Sequence, residues 1–393
     1  MISDSISQKV SSIFEDFNYR DYEFELLLTS FRGVLTNPGG TIARVILIGP
    51  SGSGKSFVLN NFHAKIQRRR IKNRETNFRL KCINVNCMTH VSTKTVVLEI
   101  IQKIDPYFYA NVDECQTAEL QYILADILLA RKVHLIVIFD NIDDLVKKEP
   151  EEVNSLIYGF QRFSEGKNEN EPNLFSQILV ARDLEFIVEL DRSVFRKIIT
   201  DVIPFEPYTA EQTFQLVNTF VKKKVKRKIA EETIWFIALI ARGNMRLALE
   251  LIKKANHLAG IKQSLAITPE HIRAVNKKLT DFHITKQMLE EYPIGHKLML
   301  LTIARRFKSA SKAFLNFLDL PSLYISICEE YNQMKNAKYF SDILNNLEKI
   351  AIISLHNVER DVFLTLSDIP ANQLAMYLEK NLKQKRRDKP YFL

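Results

Sequence analysis

Eight consecutive residues near the start of the chain match the phosphate-binding pattern G-x-x-x-x-G-K-[ST]. They are Gly49, Pro50, Ser51, Gly52, Ser53, Gly54, Lys55 and Ser56. An apolar run precedes them and a helical pattern follows, which is the context that this P-loop motif requires. Glycines let successive backbone N–H groups face a phosphate, and the start of a helix adds its dipole. We expect Lys55 to reach the β- and γ-phosphates and Ser56 to hold Mg²⁺, so the sequence predicts a nucleoside triphosphate site.

A second acidic residue holds Mg²⁺ through water in such sites, at the end of a buried strand. Asp140 follows the apolar run 135–139, and we assign the metal role to it. The alternative is an aspartate that only begins a loop. Asn141 stands next, where a glutamate would polarise the attacking water, and an amide cannot accept a proton from that water. We therefore predict slow hydrolysis or none, and we expect Asp143 and Asp144 to cap a helix.

Composition places the chain among ordinary globular proteins of two or three domains. It has 393 residues, of which 46% are hydrophobic and 26% charged. The longest apolar runs are too short for a membrane span, and the first residues lack the features of a secretory signal. The four cysteines show no C-x-x-C spacing, so neither a zinc site nor a disulfide framework is indicated. A reducing intracellular compartment fits this composition.

Positive charge is clustered in three runs, although the net charge of +9 is moderate. The runs are residues 68–70, 222–228 and 383–389. Such runs suit phosphate backbones or a nuclear import receptor, and the alternative for any one of them is a solvated helix end or tail. Together the three runs favour a polyanionic partner.

Strand and helix patterns alternate as far as residue 203, after a lead-in helix at about 20–35. Strands separated by helical segments of ten or more residues predict a parallel α/β sheet. The expected strands are residues 45–48, 78–82, 135–139, 177–181 and 202–203.

The chain turns helical after Pro204. Residues 209–212 form a capping box, and Thr268 begins another helix with proline at its first position. Near Pro293 a third region starts, in which three helices and a β-hairpin predict a winged helix. We expect its helices at 295–307, 320–334 and 338–349, and its strands at 350–355 and 362–366. The predicted domains are thus 1–204, 205–284 and 285–393.

Arg246 lies in the first turn of the helix that follows Gly243. A cation there is unfavourable for the helix dipole. Contact with a bound phosphate would offset that cost, and the alternative is an exposed arginine without a partner.

These features together resemble the initiator branch of the AAA+ ATPases. The resemblance rests on the P-loop, the strand-end aspartate, the pattern G-[DN]-x-R-x-A-L at 243–249 and the winged-helix layout, and it covers nearly the whole chain from about residue 19. Residues 19–23 resemble the lead-in motif of that branch, and residues 207–211 its junction between sheet and lid. The resemblance implies an AAA+ parallel-sheet P-loop core with an α-helical lid, followed by a C-terminal winged-helix domain, with ATP and Mg²⁺ as cofactors.

Family roles extend to several positions of this sequence. Lys55 and Ser56 match the nucleotide motif, Asp140 the metal motif and Arg246 the lid sensor. Many members carry an arginine finger in R-x-x-x-R before the last strand, and Arg196 fits that spacing. Lys197 and a surface role for Arg196 remain open. The polar sensor expected after the fourth strand is replaced by residues 181–182 (Ala-Arg), which together with the asparagine after the metal aspartate suggests that ATP is bound for structure.

In a winged helix the third helix and the hairpin tip contact DNA. The candidate residues are Lys338, Asn345, Asn346, Lys349 and Arg360. Acidic neighbours dilute their charge, so we expect no sequence-specific readout, and the alternative is that this domain packs against other subunits.

Within the branch, the compact chain is most similar to subunit 4 of the eukaryotic origin recognition complex. That similarity implies a nuclear, ATP-binding subunit of a ring that binds origin DNA, gives its arginine finger to a neighbour and supports loading of the replicative helicase. The implied partners are the other subunits, helicase-loading factors, the helicase and double-stranded DNA, with no membrane. The alternative is a self-sufficient initiator ATPase, or a signalling NTPase with a regulatory winged helix.

Overall fold

The structure, a computed structural model, forms two compact units, Met1–Pro207 and Tyr208–Leu393. The described residues are 19–69, 78–109, 115–162, 172–190, 201–279, 286–310, 312–333, 340–350, 352–358, 361–367 and 369–387. Apart from residues 205–207, the helical and winged-helix domains predicted separately from the sequence both fall within the second unit.

The first unit is built on a five-stranded parallel sheet with the order β2-β3-β4-β1-β5. Its strands are β1 (Arg44–Ile48), β2 (Arg79–Asn86), β3 (Val133–Asp140), β4 (Phe175–Ala181) and β5 (Asp201–Pro204). All five strands predicted from the sequence are present. The continuous apolar runs of β3 and β4 are typical of strands that are covered on both faces.

Helices cover both faces of this sheet. They are α1 (Asp21–Ser30), α2 (Arg32–Thr36), α3 (Lys55–Arg69), α4 (Thr93–Ile104), α5 (Thr117–Ala130), α6 (Ile142–Val146) and α7 (Pro150–Arg162). Alternate residues of β3 enter different cores: Leu135 and Val137 pack with α4 to α7, whereas Ile136 and Ile138 pack with α1 to α3. Because successive side chains of a strand point to opposite faces, each group of helices packs on its own face of the sheet.

The lead-in helix predicted at 20–35 is interrupted at Phe31, which caps α1 and precedes α2. Arg20 is buried and holds the start of this segment against the chain that leaves β5. Its guanidinium donates to the Glu23 carboxylate and to the Glu206 carbonyl oxygen, and it lies 5.6 Å from the centre of the Phe205 ring. Sequence reasoning placed Arg20 in a family motif without anticipating this contact.

The helical segment of the second unit begins with the predicted capping box. The Gln212 N–H donates to Thr209 Oγ1 and the Thr209 N–H donates to Gln212 Oε1, both at 3.1 Å. The elements of the segment are α8 (Ala210–Lys224), β6 (Lys228–Ile229), α9 (Glu231–Ala241), α10 (Met245–Ile261), β7 (Ala266–Ile267) and α11 (Pro269–Leu279). The short parallel pair of β6 and β7 was not predicted.

The C-terminal segment contains the three predicted helices and the hairpin. Its elements are α12 (Lys286–Glu291), α13 (Ile294–Ala310), β8 (Leu315–Asn316), α14 (Leu320–Glu330), α15 (Phe340–Lys349), β9 (Ile353–Val358), β10 (Asp361–Leu366) and α16 (Ala371–Arg387). The prediction placed β9 three residues too early, because Val358 pairs with Asp361 and the ladder therefore continues through residues assigned to the turn. Strand β8 and helices α12 and α16 were not predicted.

A buried arginine joins these two segments of the second unit. Arg273 on α11 has no exposed surface, and its Nε donates to the Leu366 carbonyl oxygen at 2.7 Å. Its Nη2 donates to the carbonyl oxygens of Lys312 and Ala313 at 3.1 and 3.2 Å. Nη1 donates to Glu270 Oε1 at 2.8 Å. One side chain thus binds the start of β8 and the end of β10 to a helix of the preceding segment.

Aromatic rings complete the surroundings of this guanidinium. Its central carbon lies 4.3 Å from the centre of the Phe307 ring and 5.0 Å from that of Phe236. Burial lowers the pKa of Arg273, and the adjacent Glu270 carboxylate opposes that effect. A second contact also joins the two segments: the Ala313 N–H, just before β8, donates to Glu232 Oε1 on α9 at 2.8 Å.

Candidate nucleotide-binding site

The P-loop connects β1 to α3 and leaves the sheet beside β4. The Gly49 N–H donates to the Ala181 carbonyl oxygen at 3.3 Å. A Cβ atom at Gly49 would stand 2.2 Å from the Phe205 carbonyl oxygen, so only glycine fits there. Gly54 has a φ of 99°, a conformation that side chains strongly disfavour, and it turns the loop into α3. The structure therefore explains why glycine is required at both positions, which the motif alone does not.

Lys55 directs its ammonium group back into the loop. Its Nζ donates to the Gly49 carbonyl oxygen and, at 3.1 Å, to that of Pro50. Ser56 follows in the first turn of α3. The positive charge and the first N–H groups of a helix are thus gathered around one loop, an arrangement that binds phosphate.

Asp140 is the last residue of β3, at the carboxyl end of the parallel strands, where the P-loop also begins. In register it lies opposite Asn86 of β2 and Val180 of β4. Only β4 separates β3 from β1, so Asp140 and the start of the P-loop are about 10 Å apart in the strand plane, at roughly 4.8 Å per strand. A carboxylate and a hydroxyl are oxygen donors of the kind Mg²⁺ prefers, and Mg²⁺ retains water between itself and such ligands. Ser56 and Asp140 therefore fit the metal of a nucleotide complex.

Asn141 adopts a left-handed conformation, with φ 58° and ψ 49°. Asparagine tolerates this region better than most side chains. Its Nδ2 donates to Asn86 Oδ1 at 2.9 Å, and the same oxygen accepts the Met88 N–H at 3.2 Å. Asn86 thus positions the amide next to the metal aspartate. Sequence reasoning missed Asn86, although its place at the end of a strand adjoining β3 was the available signal.

Arg182 follows β4, and its partly exposed side chain contacts α6. Its Nη2 donates to Asp144 Oδ1 at 2.6 Å, and its Nε lies 3.2 Å from Asp143 Oδ2. The expectation that these aspartates cap a helix is wrong, because Asn141 precedes α6 and both carboxylates lie in its first turn beside the arginine. Burial raises the pKa of Asp143 while Arg182 lowers it, and the hydrogen bond to Asp144 raises the pKa of Arg182. The position of the missing polar sensor thus carries a cation paired with two acids.

The remaining predicted site residues belong to the second unit or fall outside the described part of the chain. Arg246 is exposed in the first turn of α10, in the second unit, where the Asn244 side chain accepts the Leu247 N–H at 3.1 Å. Arg196, Lys338 and Arg360 fall outside the described residues, so their roles stay predictions.

The three described DNA-contact candidates share one face of α15. Asn345, Asn346 and Lys349 are exposed, whereas the opposite face packs into the core of the C-terminal segment. Glu348 lies on the exposed face as well, and its Oε1 accepts the Leu355 N–H at 3.2 Å. Asp342 is exposed one turn earlier, so this face presents two amides and one cation beside two acids, which dilute its positive charge.

Within the described ranges, no three His, Cys, Asp or Glu side chains converge as a metal site of their own. Nor does any helix in those ranges have the length and apolarity to cross a membrane.

Comparison with known proteins supports the fold and identifies relatives. A family model described as an AAA domain matches residues 43–186. The chain is 25% identical, over 348 residues, to the ORC1-type DNA replication protein 2 of Sulfurisphaera tokodaii, covering 86% of this chain and 80% of that protein.

Solved structures resemble almost the entire chain. Cdc6p from Pyrobaculum aerophilum superposes with a TM-score of 0.80 at 21% identity, covering 95% of this chain and 98% of that one. The Aeropyrum pernix ORC2 protein, solved with ADPNP and ADP, gives 0.56 at 16% identity, with 96% and 98% covered. The Aeropyrum pernix ORC1 protein in complex with DNA gives 0.54 at 19% identity, with 95% and 96% covered. The chain therefore has the AAA+ P-loop fold, with Cdc6 and ORC proteins as its structural neighbours.

Proposed function

We propose that this protein is an ATP-binding initiator of DNA replication of the ORC1 type. The observation that carries the proposal is the match to an ORC1-type replication protein over 86% of the chain. The match to an AAA domain over residues 43–186, which contain the P-loop, supports it. A signalling NTPase is disfavoured because the relatives named above are replication or Cdc6/ORC proteins.

In this proposal ATP lies on the P-loop, residues 49–56. Its phosphates face the loop N–H groups and Lys55, while Ser56 and Asp140 hold Mg²⁺. Arg246 remains the candidate for the lid sensor that the family resemblance implies. Asn141 orients water without accepting its proton, so the protein's own hydrolysis is slow.

DNA contact is assigned to the C-terminal segment, whose helices and hairpin have the layout of a winged helix. Asn345, Asn346 and Lys349 contact backbone, together with Lys338 and Arg360. Support comes from the DNA complex of the Aeropyrum pernix ORC1 protein, which shares the fold. The partners proposed are duplex DNA, other initiator subunits, helicase-loading factors and the replicative helicase.

The finer expectations drawn from the sequence resemblance have less support. The curated relatives are archaeal ORC1-type proteins, which support neither subunit 4 nor a nuclear location. An arginine finger at Arg196 that acts on a neighbour remains a proposal, as does a hetero-oligomeric ring.

Mapping the protein on the chromosome of its source cell tests the replication role. We expect crosslinked, immunoprecipitated DNA to be enriched at sites where replication begins. Enrichment that is uniform along the chromosome would exclude an initiator, while ATP binding by the same protein would be unaffected.

Replacing Lys55 by alanine tests the nucleotide site. A hydrogen bond to a charged group contributes about 1.5–3 kcal/mol, so we expect the affinity for ATP to fall roughly thirtyfold. Titration with a fluorescent ATP analogue measures it. Lys65→Ala on the same helix is the matched control and should bind as the wild type does. Equal affinities of the two variants would remove Lys55 from the site.

A further inference from the structure

One end of the helical segment carries a dense group of exposed lysines, which we call the lysine end. Its members are Lys222, Lys223, Lys224, Lys226, Lys228, Lys253 and Lys262. Three of them lie in the last turn of α8, where they suit the helix dipole. Lys262 suits the dipole of α10 in the same way, since it caps the C-terminus of that helix. The dipole does not account for Lys226, Lys228 and Lys253, which lie before β6, on β6 and within α10.

Arg227 brings these separate stretches of chain together. Its Nη1 donates to Asn256 Oδ1 at 3.0 Å and to the Asn256 carbonyl oxygen at 3.3 Å. Its Nε donates to the Ser264 carbonyl oxygen at 3.3 Å. The turn after α8 is thereby fixed against the last turns of α10, and Lys228 pairs with Ala266 in the β6–β7 ladder.

Lys253 places α10 beside α8 at the same end. Its Nζ lies 5.9 Å from the centre of the Phe220 ring, and Phe220 is one helical turn before Lys224. The lysines from α8 and α10 therefore form one surface rather than two. Arg227 is taken up by the fold, whereas the lysine side chains around it are exposed.

Acidic residues are rare in the sequence that builds this end. Residues 212–230 and 251–269 contain nine lysines and arginines and no aspartate or glutamate. Glu250, just before the second stretch, pairs with Lys254 at 2.7 Å. At the chain's own frequency of 46 acidic residues in 393, about four would be expected in these 38 positions. Like charges within a Debye length of about 8–10 Å repel one another, so a polyanion that covers this surface would relieve their repulsion.

We propose that the lysine end is a second contact for the backbone of duplex DNA. The inference rests on the proposed function, which already brings DNA to the second unit. Lysine ammonium groups are point charges without fixed hydrogen-bond geometry, so they bind phosphates without reading bases. The contact adds affinity that is independent of sequence and decreases steeply with salt.

The test is a salt titration of DNA binding by the full-length protein with ATP present. The variant combines Lys222→Gln, Lys223→Gln and Lys224→Gln, and the probe is a fluorescent duplex of random sequence. Each lost phosphate contact makes the slope of log K against log salt less steep by about 0.9. We expect a slope less steep by about 2–3 and an affinity about tenfold lower near 0.1 M salt.

The matched control removes three exposed charges of the first unit that lie outside the basic runs, by Arg32→Gln, Arg79→Gln and Lys147→Gln. It should keep the wild-type slope, and both variants should keep the wild-type ATP affinity as a check on folding. If the wild type binds DNA and the two variants have equal slopes, the inference is overturned while the proposed function stands. Failure of the wild type to bind DNA would overturn both.

Anionic vesicles of phosphatidylserine and phosphatidylcholine provide a further comparison. Binding to vesicles that is lost in the α8 variant, with DNA binding unchanged, would assign the lysine end to a membrane surface and overturn the inference.

Discussion

Replacing Arg273 by alanine is expected to destabilise the second unit by about 3–5 kcal/mol. The substitution leaves three carbonyl oxygens and the Glu270 carboxylate without their buried donor. It also opens a gap beside the rings of Phe236 and Phe307. Every hydrogen bond from this guanidinium except that to Glu270 reaches the C-terminal segment. We therefore expect the contact between the helical and C-terminal segments, which we call the junction, to lose stability first.

The loss of stability can be measured in the intact protein through Trp235, the single tryptophan of the chain. It lies on α9 and stacks on Phe214 at a ring separation of 4.3 Å, so its fluorescence reports on the second unit. Urea titration gives the free energy of unfolding, and hydrogen exchange at residues 312–314 and 364–366 shows whether the junction opens. Lys278→Ala, an exposed change on the same helix, is the control. A loss below about 1 kcal/mol for Arg273→Ala would contradict the structural role assigned to it.

Replacing Asn141 by glutamate is expected to raise the rate of ATP hydrolysis about a hundredfold. A positioned general base contributes roughly 10²–10⁴ in rate. Part of this gain is offset because a glutamate in the left-handed region costs about 1–2 kcal/mol. The carboxylate also cannot donate to Asn86 Oδ1, as the asparagine amide does.

Asn141→Gln is the matched control, since it has the size and the backbone strain of the glutamate but no basic group. Single-turnover hydrolysis with saturating enzyme separates chemistry from product release. Equal rates for the two variants would show that this position does not limit hydrolysis. A wild-type rate already as high as that of Asn141→Glu, and abolished by Asp140→Ala, would refute the structural-ATP interpretation.

Local sequence predicted the features that depend on neighbouring residues. The five strands were evident from short apolar runs bounded by turn residues, and the P-loop from its own spacing. Asp140 was found because a buried strand must end where its apolar run ends. The boundary of β9 was missed because His356, Asn357 and Val358 look like a polar turn until their pairing with β10 is known.

Side chains that act across the fold were beyond such reasoning. Asn86 precedes Asn141 by 55 residues, and only the neighbouring positions of β2 and β3 bring the two amides together. Arg182 and the α6 aspartates are likewise joined by strand order. Nothing in the local sequence distinguishes Arg273 from other helical cations, because its contact with the Leu366 carbonyl oxygen joins positions 93 residues apart.

The junction at Arg273 has a consequence for how the second unit meets a long ligand. A module on a flexible tether must lose its freedom of orientation when it binds, and that entropy weakens the complex. Here the helical and C-terminal segments are already fastened together, so the lysine end and the exposed face of α15 have a fixed spacing. In the proposed DNA complex, the orientational entropy of aligning the two surfaces is therefore lost during folding and not on binding.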